Sequence, residues 1–510
     1  MSEVVIHAIV LGLYLLVMLG MGVYFYKKSK SQSDYFLGGR NLNAWVTSMS
    51  AQASDMSGWL LMGLPGTAFL LTQKNGMAEA FWTALGLAIG TYLNWLLLAK
   101  RLRQYSEHAN DSITIPTYLE NRFKDKTRLI RMISAIFIVI FFLIYTAAQF
   151  SAGAKLFNAV FGIDYTTALI IGAIVIVSYT FLGGFLAVCW TDLVQGILMF
   201  FAIIALPIIA LVKMGGAQKT FDVAASLVNL QNGFGLNEWT GLGSMGILSI
   251  ISIAAWGLGY FGQPHILTRF MGIRHSNDIK PARRIAMVWV SCSLAAAVLL
   301  GVIGKAYVST IMTAEELGSL DGERIFIYMV QHLLTGPGFA IIAGLLLTAI
   351  LAAIMSTADS QLLVTSSAIS EDICKSLFGS KMTDKHFVWV SRISVLAVAL
   401  IALIIAANPN SSVFDLVSYA WAGFGAAFGP AILMSLYWKR MNWQGTLAGI
   451  LSGGITVLVW RNLVKAYINV YEILPAFIVS VIFIIVVSLL TSKPTADIEK
   501  EYDTFMKSDK

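Results

Sequence analysis

A chain of 510 residues with 57% hydrophobic and only 12% charged residues carries about half the charge of a typical soluble domain, which is about a quarter charged. So few charges cannot cover a water-facing surface, and a mean hydropathy of +0.75 points the same way, so the roughly two to four soluble domains that this length would otherwise suggest are excluded. The net charge of +7 does not argue for nucleic acid, because the basic residues sit in short loops between apolar runs that are each long enough to cross roughly 30 Å of hydrocarbon.

The first run, 4–26, has no basic stretch before it and ends at Lys27, Lys28 and Lys30, so it reads as a retained span and not a cleaved leader. Twelve more runs follow, at 44–72, 78–99, 132–160, 166–184, 188–212, 246–264, 285–308, 338–365, 387–407, 413–437, 444–464 and 473–492. Thirteen spans put the termini on opposite faces. With the N-terminus outside, the inner segments 27–43, 100–131, 183–187, 265–284, 366–392, 438–443 and 493–510 hold 27 of the 35 Lys and Arg residues. That bias marks cytoplasmic loops. The outer segments 213–245 and 309–337 are expected as short surface helices or gates, with Glu315, Glu316, Asp321 and Glu323 as a solvated face. The tail 493–510 is expected to be solvated and mobile. Cys189, Cys292 and Cys374 lack any CxxC spacing and are expected as buried, inert thiols.

Two spans do not read as continuous helices. The second holds Ala53-Ser54-Asp55-Met56-Ser57-Gly58-Trp59, and the seventh holds three glycines and a proline between Trp256 and Pro264. Glycine and proline weaken helix interiors by about 1 and 3 kcal/mol relative to alanine, and backbone groups freed inside a bilayer need partners in protein, water or a ligand. Close helix packing also favours glycine. Leaving out the first span, however, spans two to six and seven to eleven form two groups of five, each opening with its broken helix. Matched interruptions in two halves point to a transporter's midplane binding site.

An ionisable residue within a span costs about 2.5–3.5 kcal/mol on insertion scales and is a functional candidate by default. Asp55 is one. In the ninth span, Ala353, Ser356 and Thr357 share a helix face, and Asp359 and Ser360 follow. A hard cation such as sodium takes several oxygens: hydroxyls from Ser356 and Thr357, and carbonyls freed at the break, with Ala53 and Met56 the plausible pair.

Several longer strings carry a resemblance. They are Leu37-Gly38-Gly39-Arg40, Ala-Ser-Asp-Met-Ser-Gly-Trp-Leu-Leu-Met-Gly-Leu-Pro-Gly at 53–66, and Gly-Gly-Phe-Leu-Ala-Val at 183–188 followed by Trp190-Thr191-Asp192. Three more are Trp-Gly-Leu-Gly-Tyr-Phe-Gly-Gln-Pro-His at 256–265, Leu-Ala-Ala-Ile-Met-Ser-Thr at 351–357 and Tyr-Ala-Trp-Ala-Gly-Phe-Gly-Ala-Ala-Phe-Gly-Pro at 419–430. From about residue 10 to 490 the chain resembles the sodium/solute symporter family, and within it the sodium/proline symporters. The resemblance implies an all-α polytopic membrane protein of the leucine-transporter type. Its units would be an accessory helix and loop (1–43), two inverted five-helix repeats (44–245 and 246–443), two further helices (444–492) and a cytoplasmic tail (493–510).

It further implies co-transported Na+ held by the carbonyls of Ala53, Met56 and Ala353 and the hydroxyls of Ser356 and Thr357. Asp55 and Ser57 would couple sodium to solute, with Arg40 important on the cytoplasmic side. L-proline would sit among Gly58, Tyr145, Trp256, Tyr260 and Pro264, its carboxylate on the exposed backbone of Ser57 and Gly58. Some relatives hold a second sodium, which here would involve Asp192, Asp359 and Ser360; the family often has a small or hydroxyl residue where this chain has Asp359. The expected setting is the bacterial cytoplasmic membrane, with the lipid bilayer as surroundings and neither nucleic acid nor an obligate protein partner.

Pantothenate, another amino acid, a sugar or sialic acid are the rival solutes. A sugar would want more side-chain amides and carboxylates than this pocket of aromatics, glycine and proline offers. An intramembrane enzyme would need a nucleophile–base set or a metal cluster, and no two of the six histidines stand at i, i+4. A membrane sensor would need a signalling domain, for which the residues after span thirteen leave little room.

Overall fold

The structure, a computed structural model, describes residues 2–26, 36–180, 184–231, 233–336, 338–378 and 384–508. Lys27, Lys28, Lys30 and Gly183 lie outside the described residues. Helix α1 covers Glu3–Tyr26. Helix α2, Ala44–Asp55, starts where the Asn43 side chain accepts from the Val46 amide, and it stops at Met56, whose ψ of 69° is not helical. The chain resumes as a wide turn of π-helix, Trp59–Gly63, and a short α3, Leu64–Ala68. Helix α4, Gly76–Leu93, runs on through a second π-turn into Ala99–His108. The long helices α5 (Leu129–Phe161), α6 (Tyr165–Thr180) and α7 (Phe185–Met214) follow.

The second interruption has a different form. Helix α8, Ile247–Ala254, tightens into a 3₁₀ stretch, Ala255–Gly262, and restarts as α9, Pro264–Gly272, with the proline in the first turn, where no backbone N–H is required. The two arms are bent by 45°. Then come α10 (Ile279–Ser309), α11 (Ala340–Ser367), α12 (Asp384–Ile405), α13 (Val413–Tyr437), α14 (Trp443–Val459), α15 (Ile473–Leu490) and α16 (Ala496–Ser508).

Among the described residues nine helices are long and apolar enough to cross a membrane, and the bent pair makes a tenth. The three remaining expected spans coincide with the broken Ala44–Ala68 stretch and with the shorter apolar helices Tyr165–Ser178 and Trp389–Ile405. Helices α11 and α13 are 83% buried over their apolar windows, whereas α1 is 17% buried. The polar residues of α11 are therefore screened from lipid by other helices, while Phe201, Val212, Ile404 and Leu490 point outward as lipid-facing surface.

Three expectations fail here. The tail is not a free coil: residues Ala496–Ser508 form a helix whose Ile498, Tyr502 and Phe505 are buried. The Phe505 ring lies 4.4 Å from that of Tyr105, and Lys439 and Lys124 bind Asp503 and Glu501 at 2.7 Å. Spacing by three and four gives this short polar segment one apolar face, which is enough to dock it. Second, Glu323 does not belong to a solvated face. It is buried, holds the Lys155 ammonium at 2.5 Å and accepts from the amides of Val413 and Phe414 at the start of α13. Third, of the cysteines only Cys189 is buried; Cys292 is exposed and Cys374 half-buried.

Candidate functional site

The break after Asp55 lies against the middle of α11. The Ser356 hydroxyl donates to the Ala53 carbonyl at 2.7 Å and to its own Ala353 carbonyl at 3.1 Å, and the Thr357 hydroxyl reaches the Ala53 carbonyl at 3.4 Å. Four of the five expected cation ligands thus converge on one point, all of them fully buried. Met56, the fifth, is the residue at which α2 loses its helical geometry. Such an arrangement exists because the helix stops: an unbroken α2 would have turned the Ala53 carbonyl to its own i+4 amide.

Around the break, polar atoms cross-link the two interrupted helices. The Tyr260 hydroxyl donates to the Asp55 carboxylate at 2.5 Å, and the other carboxylate oxygen of Asp55 is buried without a partner. Tyr145 and Trp59 both donate to the Asp55 carbonyl, at 3.2 and 3.1 Å. Backbone at Ser57 and Gly58 is engaged, contrary to expectation. The Ser57 amide bonds the Asp55 carbonyl at 2.9 Å, and the Gly58 amide bonds Gln149, whose own amide donates to the Ser57 hydroxyl at 3.2 Å. Gln149 was missed at the sequence level, although its place one turn after Tyr145 on α5 puts it on the same face.

The aromatic residues divide into two levels. Tyr260 packs edge-on against Trp421 at 5.1 Å. Trp256 stands among Trp59, Phe414 and Tyr471, at ring distances of 6.1, 4.8 and 5.6 Å. Pro264, the first residue of α9, lines a small cavity with Phe36, Phe185 and Thr268.

Asp192 and Asp359 do come near one another, but a third residue stands with them. Arg269, wholly buried on α9, bonds Asp192 at 3.2 Å, Ser360 at 2.5 Å, Ser50 at 3.0 Å and the His265 carbonyl at 2.7 Å. The Ser50 hydroxyl adds a 2.6 Å bond to the same Asp192 oxygen. Both oxygens of Asp359 are buried without a partner. Arg269 lies four residues beyond the His265 motif, and its basic side chain reads in sequence as one more cytoplasmic-loop charge; only the bend turns it inward.

Arg40 sits apart from all of these atoms. Its guanidinium ties the loop before α2 to the end of α9, through the Met271 carbonyl at 2.7 Å, and to Ser106, Asp111 and the Ser112 carbonyl at 2.9–3.2 Å. A parallel bridge between Leu42 and Ile273 joins the same two ends. The starts and stops of the broken helices are therefore clasped together at this face.

Comparisons with known proteins agree with this geometry. The sequence profile of the sodium:solute symporter family matches residues 35–453. The chain is 48% identical over 486 residues to the osmoregulated proline transporter OpuE of Bacillus subtilis, covering 95% of this chain and 94% of that protein. It is 47% identical over 491 residues to the sodium/proline symporter of Escherichia coli, covering 96% and 94%. Among solved structures, a Na+-coupled sialic acid symporter in a substrate-bound outward-open state superposes with a TM-score of 0.78 at 20% identity, covering 96% of this chain and 99% of that one. A nucleobase-cation-symport-1 transporter, Mhp1, superposes at 0.52 and 12% identity, covering 93% and 99%; both likenesses concern the fold. With a profile match over most of its length and near-half identity across nearly all of it, the chain belongs to the sodium:solute symporter family.

Proposed function

We propose that the protein carries L-proline into a bacterial cell together with sodium, by alternating access around the two broken helices. The observation that carries the cation half is the meeting of the Ala53 and Ala353 carbonyls with the Ser356 and Thr357 hydroxyls. When sodium enters, the hydroxyls turn their lone pairs toward it in place of donating to Ala53, and the Met56 carbonyl completes the set. Unwound backbone of this kind is how such transporters hold alkali cations. The solute half rests on the relatives named for proline and on the pocket chemistry. Tyr260, Tyr145 and Trp256 offer flat apolar surface to a five-membered ring. Asp55 and Ser57 stand between cation and solute, and Gly58, freed from Gln149, offers its amide to a carboxylate.

In this reading thirteen spans cross the membrane, residues 44–245 and 246–443 are inverted five-helix repeats, and the N-terminus lies outside. The clasp of Arg40, Leu42 and Ile273 then closes the cytoplasmic side. Counterflow of labelled L-proline in proteoliposomes tests the assignment: exchange that needs sodium supports it, and exchange driven by a proton gradient without sodium refutes it.

A second cation is a further reading, favoured by the charge count around Arg269. One guanidinium faces two carboxylates, Asp192 and Asp359, and Asp359 has no partner. Arg269 already occupies Asp192 and Ser360, so a second sodium would rest chiefly on Asp359. Charge moved per proline at fixed voltage decides the point. A value near two in the wild type and near one in Asp359→Ser supports the second sodium; a value near one in both assigns Asp359 a structural or proton-holding role.

A further inference from the structure

A cavity of about 370 Å³ opens beside the aromatic layer, walled by Trp256, Phe414 and Tyr471 and by the charged residues Lys74, Glu79, Asp415 and Lys465. Two of its charges are already matched: Asp415 by Arg461, and Lys465 by Glu472 at 2.9 Å. Lys74, which is exposed, and Glu79, on which the charge of Lys465 acts, make no ion pair or hydrogen bond among the described residues; they flank the start of α4 and carry opposite signs. One turn further along α4, Thr83 lines the same cavity. It is 1% exposed, and its hydroxyl has no hydrogen-bond partner. Glu79 and Thr83, at i and i+4, share one helix face. Buried polar groups normally find partners, so the orphan Thr83 hydroxyl, sharing a cavity with a carboxylate that has no hydrogen bond and with an exposed ammonium, marks a place where a polar ligand can be held.

We propose that this cavity is an entry subsite for the transported amino acid, which docks as a zwitterion with its ammonium on Glu79 and its carboxylate on Lys74. This rests on the amino-acid reading above and adds a stop before the central site. A lone cation would use Glu79 but not Lys74, and a neutral sugar would use neither charge. The volume lies in the usual range for small-molecule pockets, with room for a proline-sized solute and water. From there the Thr83 hydroxyl is the next polar group inward, and the solute must part the stack of Trp256 on Phe414 and Tyr471 to reach Tyr260.

The test places a cysteine at Ser249, another lining residue, in a Cys292→Ser, Cys374→Ser background. Its modification by a charged thiol reagent is followed without sodium, so that the central site is not loaded. L-proline is expected to slow labelling severalfold, N-acetylproline and sodium alone are not, and the protection is expected to vanish in Glu79→Gln. In uptake, Glu79→Gln is expected to raise KM about tenfold, the size of a lost steering charge, with a much smaller change in maximal rate. Protection that is absent, or equal in Glu79→Gln, overturns the subsite. If the wild type still shows sodium-driven proline uptake, the transport reading stands and only the subsite falls; if uptake is missing as well, both fall.

Discussion

Ser356 and Thr357 illustrate how little chemistry separates a packing residue from an ion ligand. Hydroxyls in membrane helices commonly bond a carbonyl of their own helix, and Ser356 does bond Ala353. What distinguishes them is the second acceptor, the Ala53 carbonyl, presented by another helix. Ser356→Ala and Thr357→Ala are therefore expected to raise the sodium concentration for half-maximal uptake roughly tenfold each, the size of one lost bond to a charged group. Solute selectivity at saturating sodium should change far less, and because linkage is reciprocal both ligands must be varied. An equal loss of proline binding at saturating sodium would place the two hydroxyls on the solute instead. Tyr260 carries a sharper dependence. Tyr260→Phe leaves the buried Asp55 carboxylate without its hydrogen bond, a cost of about 1–3 kcal/mol. The expected outcome is folded protein with weakened coupling, seen as proline binding that responds less to sodium; unchanged coupling would make Tyr260 a packing residue.

At the scale of elements, the two breaks are held by different means. The first relies on side chains such as Gln149 and Trp59; the second adds close backbone approach to the side-chain bonds of Gln263 and Trp421. A methyl group on Gly257 would run into the Gly86 carbonyl of α4, and one on Gly259 into the Trp421 ring. Backbone cannot swing aside as a side chain can, so Gly257→Ala is expected to abolish uptake while Gly243→Ala, where a methyl meets open space, is expected to be silent. Equal uptake by both variants would mean that α4 and the 3₁₀ stretch are free to separate. Helix α16 is the other element with a clear test. Its docking depends on Phe505 against Tyr105 and on Arg122 over the Tyr502 ring at 5.1 Å. Phe505→Ala removes an aromatic anchor of a kind that costs about 3–5 kcal/mol in cores. Protease cleavage within 496–508 should accelerate many-fold in this variant, with the transmembrane part intact. Unaltered cleavage would assign the docking to the ion pairs of Lys124 and Lys439.

For the whole molecule, the constraint is energetic. One positive charge moving inward across about 150 mV releases roughly 3.5 kcal/mol, and a tenfold sodium gradient adds about 1.4 kcal/mol. With one sodium per proline the limiting accumulation is of order 10³ to 10⁴, and steady-state uptake in vesicles of known voltage and sodium gradient measures it. An accumulation that ignores voltage would rule out net charge movement. The structure is clasped at the face of Arg40 and Met271, while cavities of about 640 and 370 Å³ lie on the face that carries residues 65–75 and 409–415. A further cavity of about 530 Å³ lies among Glu120, Lys124, Arg128 and Lys375, and Ala53, Asp55, Tyr260, Ser356 and Thr357 are all buried, so the central site opens to neither face in this structure.

Hydropathy, the two interruptions and the Ser356-Thr357 pair were legible in the sequence because each depends on local chemistry: apolar run length, helix-breaking residues, and spacing on one helix face. The convergence of Ala53 with Ser356 and Thr357, which the family resemblance implied, is made by the packing of α11 against the break. Arg269 and Gln149 were not legible, since a basic residue near a loop and an amide in an apolar span acquire partners only when α9 bends inward and α5 packs on the break. The same holds for Glu323 and the tail, whose burial depends on what packs over them. Sequence determined which segments leave water and where their helices fail. Tertiary packing decided which buried charges face each other, because burial cost and ion pairing depend on neighbours distant in the chain.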